Sequence, residues 1–121
     1  MNTRRMNGDT LEILIDNNVI LSIQETMEDG TMNINVAGEL RNEVAHDFED
    51  ELMAAFSVCD KVVIDFAKTT YIASIAMRAL LFAQQIIDEK ENASLLIRNL
   101  SDSVKTAFED SGFIDILNIE E

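Results

Sequence analysis

Residues 61–78 read KVVIDFAKTTYIASIAMR and carry the strongest fold signal in the chain. The stretch begins with Lys61 to Phe66, a β-branched run too continuous for a half-exposed strand, and so predicts a sheet-centre strand covered on at least one face. A short loop then leads to Ser74, where a helix is expected to begin and extend to about Glu89. Because a strand-like segment, Ser94 to Arg98, follows, the pattern predicts a right-handed crossover between two parallel strands.

The chain upstream of this stretch has the pattern of an antiparallel hairpin followed by a helix. Ile20 to Thr26 and Met32 to Ala37 are strand-like, and Asp29-Gly30 between them favours a tight turn. Asn42 is expected to cap the helix by accepting a hydrogen bond from an unpaired backbone N–H. Apolar residues recur every three or four positions and predict one buried stripe, formed by Val44, Phe48, Leu52 and Ala55. The outer ridge of the helix is acidic and consists of Glu43, Asp47 and Asp50.

The two ends of the chain complete the expected fold. Ser101 is expected to cap a third helix that runs through Ser111, because Gly112 readily adopts the left-handed conformation that stops a helix. Residues 114–119 follow as a last strand. Residues 1–10 are polar and expected to be loose, whereas residues 11–15 fit either a short helix or an extra strand. We predict an α/β domain over residues 20–121, with a mixed sheet of four to five strands and three to four helices packed against it, after an N-terminal extension of residues 1–19.

The composition fits a single folded domain that does not bind nucleic acid. A chain of 121 residues with 47% hydrophobic and 26% charged residues can build one core. Its 23 acidic and 9 basic side chains give a net charge of -14, which repels phosphate backbones and anionic lipid surfaces. The same charge favours encounter with a basic protein surface, although a solvated exterior explains it equally well.

Residues suited to catalysis or metal binding are scarce. One cysteine, Cys59, and one histidine, His46, provide no disulfide, no cysteine-based zinc site and no base beside a nucleophilic serine. The Gly-x-Ser-x-Gly elbow of serine hydrolases is not matched, because Ile72 and Ala76 occupy the glycine positions around Ser74. We therefore expect no enzyme activity, metal or cofactor. Glu12 and Asp16 interrupt the first apolar stretch, so neither a signal peptide nor a membrane span is expected, and a cytoplasmic location is predicted.

Ser74 is the side chain with the clearest possible function. A hydroxyl at a helix entry lies beside the unpaired N–H groups of the first turn, where the helix dipole favours negative charge. A phosphate would therefore be tolerated at this position. A serine that only caps the helix explains the residue equally well. Met77 and Leu81, which lie off the sheet-facing stripe of the same helix, either pack against a neighbouring helix or form part of an exposed docking patch.

The segment around Ser74 resembles the corresponding part of STAS domains, the family of anti-sigma factor antagonists. The family motif there runs aromatic, aliphatic, Asp, Ser, Ser or Thr, Gly, Leu; Tyr71-Ile72 match its start and Ser74 falls on its regulatory serine. The similarity extends over about residues 20–119 and includes Gly38-Glu39-Leu40, Val62 to Phe66, Ser103-Val104-Lys105 and Ser111-Gly112-Phe113. The chain departs from the family pattern at four positions, which are Arg41, Ala73, Ile75 and Ala76.

The resemblance implies a bacterial protein-binding module that regulates transcription by sequestering an anti-sigma factor. In this family a partner serine kinase with an ATP-binding fold phosphorylates the serine, a phosphatase reverses the modification, and only the unmodified form binds the anti-sigma factor. For this chain it implies phosphorylation at Ser74 and a partner-binding face formed by Leu40, Arg41, Asn42, Ala73, Ser74, Ile75, Ala76, Met77 and Arg78. An alternative is a STAS accessory subunit of an ABC-type lipid transport system, which needs no phosphate. A third is a degenerate domain that senses a small ligand or scaffolds an assembly.

Overall fold

The computed structural model describes residues 2–120, which form a six-stranded mixed sheet and three α-helices. In chain order the elements are β1 (Asn2–Asn7), β2 (Thr10–Ile15), β3 (Asn18–Glu28), β4 (Thr31–Leu40), α1 (Asn42–Val58), β5 (Lys61–Ile72), α2 (Ser74–Asp88), β6 (Ser94–Arg98) and α3 (Asp102–Ser111). The strands lie side by side in this order; β1 to β4 are antiparallel to their neighbours, and β4, β5 and β6 are parallel. The predicted α/β class and mixed sheet are confirmed, with six strands rather than four to five.

The predicted hairpin and both crossovers are present. Asp29 and Gly30 both have positive φ angles, of 51° and 80°, as a tight turn between right-twisted strands requires. β5 lies between β4 and β6, and Val62, Ile64 and Phe66 point from it into the core. Each parallel pair is connected through a helix, as the order of the elements in the sequence predicts.

β5 is longer than expected, because it continues through Ile72 where the sequence predicted a loop after Phe66. The continuation keeps its place in the sheet although Thr69 is polar and fully buried, since its Oγ1 donates a hydrogen bond to the Val36 carbonyl at 2.8 Å. The β4–β5 register shifts twice beside this segment. At the second shift lies Gly38, whose φ is 102° and whose position leaves no room for a side chain: a Cβ there would lie 2.3 Å from the Ile20 carbonyl oxygen.

The N-terminal residues belong to the sheet, which corrects the expectation that residues 1–10 are loose. Residues 2–7 form β1, which pairs with β2. Residues 11–15 fitted either a short helix or a strand, and in the structure they are a strand. All six side chains of β1 are exposed, so backbone pairing and ion pairs hold the strand rather than apolar burial. Arg4 reaches α1, where it contacts Asp47 at 3.5 Å and Glu51 at 2.5 Å, whereas Arg5 pairs across the strands with Glu12 at 2.8 Å.

The predicted last strand over residues 114–119 is wrong. Gly112, with a φ of 80°, leads into a single 3-10 turn at Phe113–Asp115, and the Leu117 N–H then donates to the Phe113 carbonyl at 3.0 Å. These bonds coil the backbone and leave only Ile119 to form an isolated bridge with Ile97 of β6. Ser101 does cap α3 as predicted, because its Oγ accepts a hydrogen bond from the Val104 N–H at 3.2 Å.

The helices cover one face of the sheet. The Phe66 ring of β5 contacts Phe48 of α1 and Phe108 of α3, with centroids 6.4 and 6.3 Å apart, so both helices pack on the same side. α2 packs beside α1. The opposite face of the sheet carries polar, partly exposed side chains, among them Ser22, Gln24, Asn33, Asn35 and Asp65. Between residues 2 and 120 no helix is both long and apolar enough to cross a membrane.

One carboxylate on the helix side of the sheet lacks a partner. Glu25 of β3 is partly buried, and within the described residues its Oε1 accepts no hydrogen bond. Burial, and to a lesser extent the negative charge of Glu51 on α1, raise the pKa of Glu25 above its ordinary value.

Candidate functional site: the start of the second helix

Ser74 is the first residue of α2 and is exposed to solvent. The N-cap residue is Ala73, whose backbone is extended and whose carbonyl accepts from the N–H groups of Ala76 and Met77 at 3.0 and 3.2 Å. The Ala73 N–H donates to the Leu40 carbonyl at 2.8 Å, which joins the helix entry to the end of β4. Since Ser74 follows the cap, its hydroxyl makes no capping hydrogen bond. The reading of Ser74 as only a helix cap is therefore wrong.

The nine residues predicted to form a partner-binding face come together at the ends of β4 and β5, but the structure divides them by exposure. Arg41, Asn42, Ser74, Ile75 and Arg78 are accessible to a partner. The other four are buried in the core beneath them and are Leu40, Ala73, Ala76 and Met77. These four side chains support the surface from beneath, and the partner-binding face itself stays a prediction.

The start of α1 borders this surface, with Arg41 rather than Asn42 at the cap position. No side chain caps the helix, because the Arg41 guanidinium has only donors and cannot accept from the backbone N–H groups. Its Nε and Nη2 donate instead to the two Glu39 carboxylate oxygens at 3.3 and 3.0 Å. The hydrogen bond to Glu39 raises the pKa of the Arg41 guanidinium, which stays charged. Asn42 is the first helical residue and is exposed. The Asn2 side chain donates to the Glu43 carbonyl at 2.5 Å, so the start of β1 reaches the same border.

Met77 and Leu81 pack against neighbouring elements, which decides between the two possibilities left by the sequence. Met77 is buried, and the Ser111 hydroxyl at the end of α3 lies 3.8 Å from its sulfur. Leu81 is partly buried against the core. Neither residue contributes to an exposed docking patch.

Two large apolar side chains flank Ser74 on the surface. Ile75 is 48% exposed and Tyr71, at the end of β5, is 50% exposed. Tyr71 matches the family motif, but its exposure was not predicted from the sequence. Had β5 been expected to continue through Ile72, strand alternation would have placed Tyr71 opposite the buried Ile72. The helix entry therefore carries an exposed hydroxyl and, within three residues of it in the chain, two large exposed side chains.

Known structures share this architecture. An anti-sigma factor antagonist from Mycobacterium paratuberculosis has a TM-score of 0.72 at 14% identity, covering 82% of this chain and 84% of that one. Two structures of SpoIIAA, a Bacillus cell fate determinant, are also similar. The unphosphorylated form has a TM-score of 0.67 at 18% identity over 82% of this chain and 88% of its own. The phosphorylated form has a TM-score of 0.62 at 16% identity over 82% and 91%.

The sequence comparisons point the same way. No functionally curated protein matches the chain closely enough to count as a relative. A family model described as "Mlab, STAS domain" matches residues 23–118, from β3 to the segment after α3. That match covers most of the chain, including both crossovers and the Ser74 helix entry, and with the shared architecture it shows that this chain belongs to the STAS domain family.

Proposed function

We propose that this chain is a non-enzymatic, anti-sigma factor antagonist-like module that binds a protein partner through the exposed residues around Ser74 and is regulated by phosphorylation of Ser74. Binding would sequester an anti-sigma factor in a bacterial cytoplasm and so regulate transcription. The observation that carries the proposal is the exposed Ser74 hydroxyl, which is not used to cap its own helix. In the resemblance to the family motif, Ser74 falls on the regulatory serine.

The surface around Ser74 has the composition of a binding site. Ile75 and Tyr71 are half exposed, and burying a large apolar side chain in a complex contributes about 1.5–3 kcal/mol at most. Arg41 and Arg78 supply charged groups at the rim. A few apolar anchors surrounded by polar side chains are typical of protein interfaces in which a small number of residues carry the affinity.

Phosphorylation would change binding at this surface without unfolding the domain. A phosphate adds about -1.5 to -2 charges and three strong acceptors. At the N-terminus of α2 the helix dipole favours that charge by roughly 0.3–1 kcal/mol in the free domain. In a complex, the same group would have to lose water beside Ile75, which opposes association. Phosphorylation would therefore shift the domain from the partner-bound to the free state while leaving the fold intact.

The small residues beside Ser74 suit this arrangement. Ala73 and Ala76, which replace the Asp and Gly of the family motif, are buried with their Cβ atoms toward the core. They leave the Ser74 hydroxyl open to a serine kinase with an ATP-binding fold and to a phosphatase. Without an aspartate at position 73, a phosphate on Ser74 would have no carboxylate directly before it in the chain.

The proposal is tested by capture of partners from the native cell with wild-type protein and with Ser74→Glu. We expect an anti-sigma factor kinase among the proteins bound by the wild type, and at least tenfold weaker binding to the variant. Ser94→Glu is the matched control, because Ser94 is exposed at the start of β6, at the opposite end of the parallel strands, and should leave binding unchanged.

Two results would overturn parts of the proposal. If incubation with the captured kinase and ATP places phosphate equally on wild type and Ser74→Ala, Ser74 is not the acceptor. If the captured partner is a transport ATPase that binds wild type and Ser74→Glu equally, the accessory-subunit alternative replaces the antagonist function.

A further inference from the structure

A groove with a volume of about 490 Å³ lies between the end of β5 and α3, next to the Ser74 surface. Its apolar part is formed by Tyr71, Ile72 and Ala107. α3 is fixed along it, because the Ser101 hydroxyl donates to the Thr69 carbonyl at 2.5 Å and Phe108 packs on Phe66. The groove is therefore a fixed feature of the fold, and the exposed ring of Tyr71 joins it to the helix entry.

The α3 side of the groove is acidic. Asp102, Thr106 and Asp110 line it at intervals of four residues and so follow one ridge of the helix. Eight residues of α-helix separate the two carboxylates by about 12 Å along the axis. In the described part of the chain neither aspartate forms an ion pair within 4.0 Å. The basic residue of α3, Lys105, lines a different groove together with Glu109.

The helix gains no stability from one of these carboxylates. Asp102 lies in the first turn of α3, where the dipole favours a negative charge. Asp110 lies in the last turn, where the dipole disfavours it, and that turn has no basic residue. The charge of Asp110 is thus slightly unfavourable to the free domain.

We propose that this groove binds an arginine-bearing segment of the protein partner. A guanidinium group can stack on the Tyr71 ring while its aliphatic stem covers Ala107. Because the two aspartates are about 12 Å apart, separate arginines of the segment donate hydrogen bonds to Asp102 and Asp110. The net charge of -14 favours encounter with such a segment. This inference rests on the proposed function and deepens it, because it adds α3 to the docking surface and states which chemistry the partner presents there.

The test is a titration of the full-length ¹⁵N-labelled chain, followed by NMR. The probe is a blocked alanine-based peptide with two arginines spaced two helical turns apart, compared with the same peptide containing citrulline, which keeps the shape without the charge. We expect shift changes concentrated at the groove and caused by the arginine peptide. Asp110→Asn should weaken binding by about 2- to 5-fold, because it removes an exposed charged contact. Tyr71→Leu should weaken it by a similar factor, because it removes the ring on which the guanidinium stacks.

Glu109→Gln is the matched control, since it removes the same charge from the adjacent residue on the other side of α3. Binding weakened equally by Glu109→Gln and Asp110→Asn would overturn the proposal, because net charge alone would then explain the attraction. Equal binding of the citrulline peptide, or shift changes spread over the acidic ridge of α1, would also overturn it. Urea unfolding of Asp110→Asn should show no loss of stability, which separates a binding effect from misfolding.

The outcomes for the groove and for Ser74 are distinguishable. A captured partner that responds to Ser74→Glu but not to Asp110→Asn refutes the groove and leaves the proposed function. A partner that responds to Asp110→Asn and not to Ser74→Glu refutes the phosphate switch and leaves the groove.

Discussion

The two serines at helix starts should respond very differently to replacement by alanine. Ser101 is the N-cap of α3: its Oγ accepts from the Val104 N–H at 3.2 Å and donates to the Thr69 carbonyl at 2.5 Å. Ser74 stands one position after the cap of α2, and its hydroxyl makes no capping bond. We predict that Ser101→Ala destabilises the domain and that Ser74→Ala does not.

The magnitude follows from the bonds each hydroxyl makes. Removing a capping serine costs about 1 kcal/mol, and losing the second, partly buried bond to Thr69 costs about 1 kcal/mol more. Ser101→Ala should therefore lower the free energy of unfolding by about 2 kcal/mol, which corresponds to about 8 °C in Tm for a domain of this size. Ser74→Ala exchanges an exposed helical serine for a better helix former, and its effect should stay within about 0.5 kcal/mol.

Urea unfolding followed by far-UV circular dichroism measures both variants against the wild type. Similar slopes with urea concentration would show that all three unfold from comparable states, so that the midpoints report stability. If Ser74→Ala lost as much stability as Ser101→Ala, the Ser74 hydroxyl would have a structural role. A loss of partner binding in Ser74→Ala could then no longer be attributed to the docking surface.

Three further predictions concern the sheet and its N-terminal strand. Gly38→Ala should cost more than about 3 kcal/mol of stability in urea unfolding, whereas Gly30→Ala, in open space at a positive φ, should cost about 1 kcal/mol. Equal costs would contradict the close approach of the Ile20 carbonyl to Gly38. Burial and a neighbouring carboxylate raise the pKa of Glu25 above 4.5 in the folded state. Ionisation of Glu25 therefore lowers the stability of the domain as the pH rises from 4.5 through the folded pKa. Glu25→Gln cannot ionise, so it should become more stable relative to wild type toward neutral pH. An unchanged difference between the two proteins across that pH range would refute this. At low salt, Arg4→Gln should speed amide exchange in β1 by about 2- to 5-fold. Arg5→Gln should have a smaller effect, because it removes a single ion pair whose arginine is more exposed to solvent. Equal acceleration by the two variants would contradict the anchoring of β1 to α1.

The parts of the fold that the sequence predicted correctly have local causes. The Asp29-Gly30 turn, the Ser101 cap and the Gly112 stop each depend on the conformation of one or two residues, which their side chains determine. The continuous apolar run of β5 has a similarly direct cause, because a strand covered by helices needs apolar residues.

The parts that were missed depend on backbone pairing and on contacts between elements rather than on residue type. β1 contains no apolar alternation, and it forms because its backbone pairs with β2 and Arg4 finds carboxylates on α1. Thr69 can be buried in the extension of β5 because the Val36 carbonyl accepts a hydrogen bond from its hydroxyl. The expected strand after Gly112 coiled instead through bonds to the Phe113 carbonyl. The β1–β2 pairing and the bonds to Phe113 are local in sequence, whereas the contacts of Arg4 with α1 and the Thr69–Val36 hydrogen bond join residues more than 30 positions apart.

The acidic character, the α/β class and the serine at the entry of the second helix could all be predicted from the residues alone. Patterning, turn residues and motif spacing act over a few neighbouring positions, so they can be recognised without coordinates. The packing of the elements was needed to see that Ser74 makes no capping bond while Ala73, Ala76 and Met77 are buried. It was also needed to see that Tyr71 and α3 line the same groove. Exposure and proximity depend on which elements pack together, and residues far apart in the chain, such as those of β5 and α3, supply those contacts.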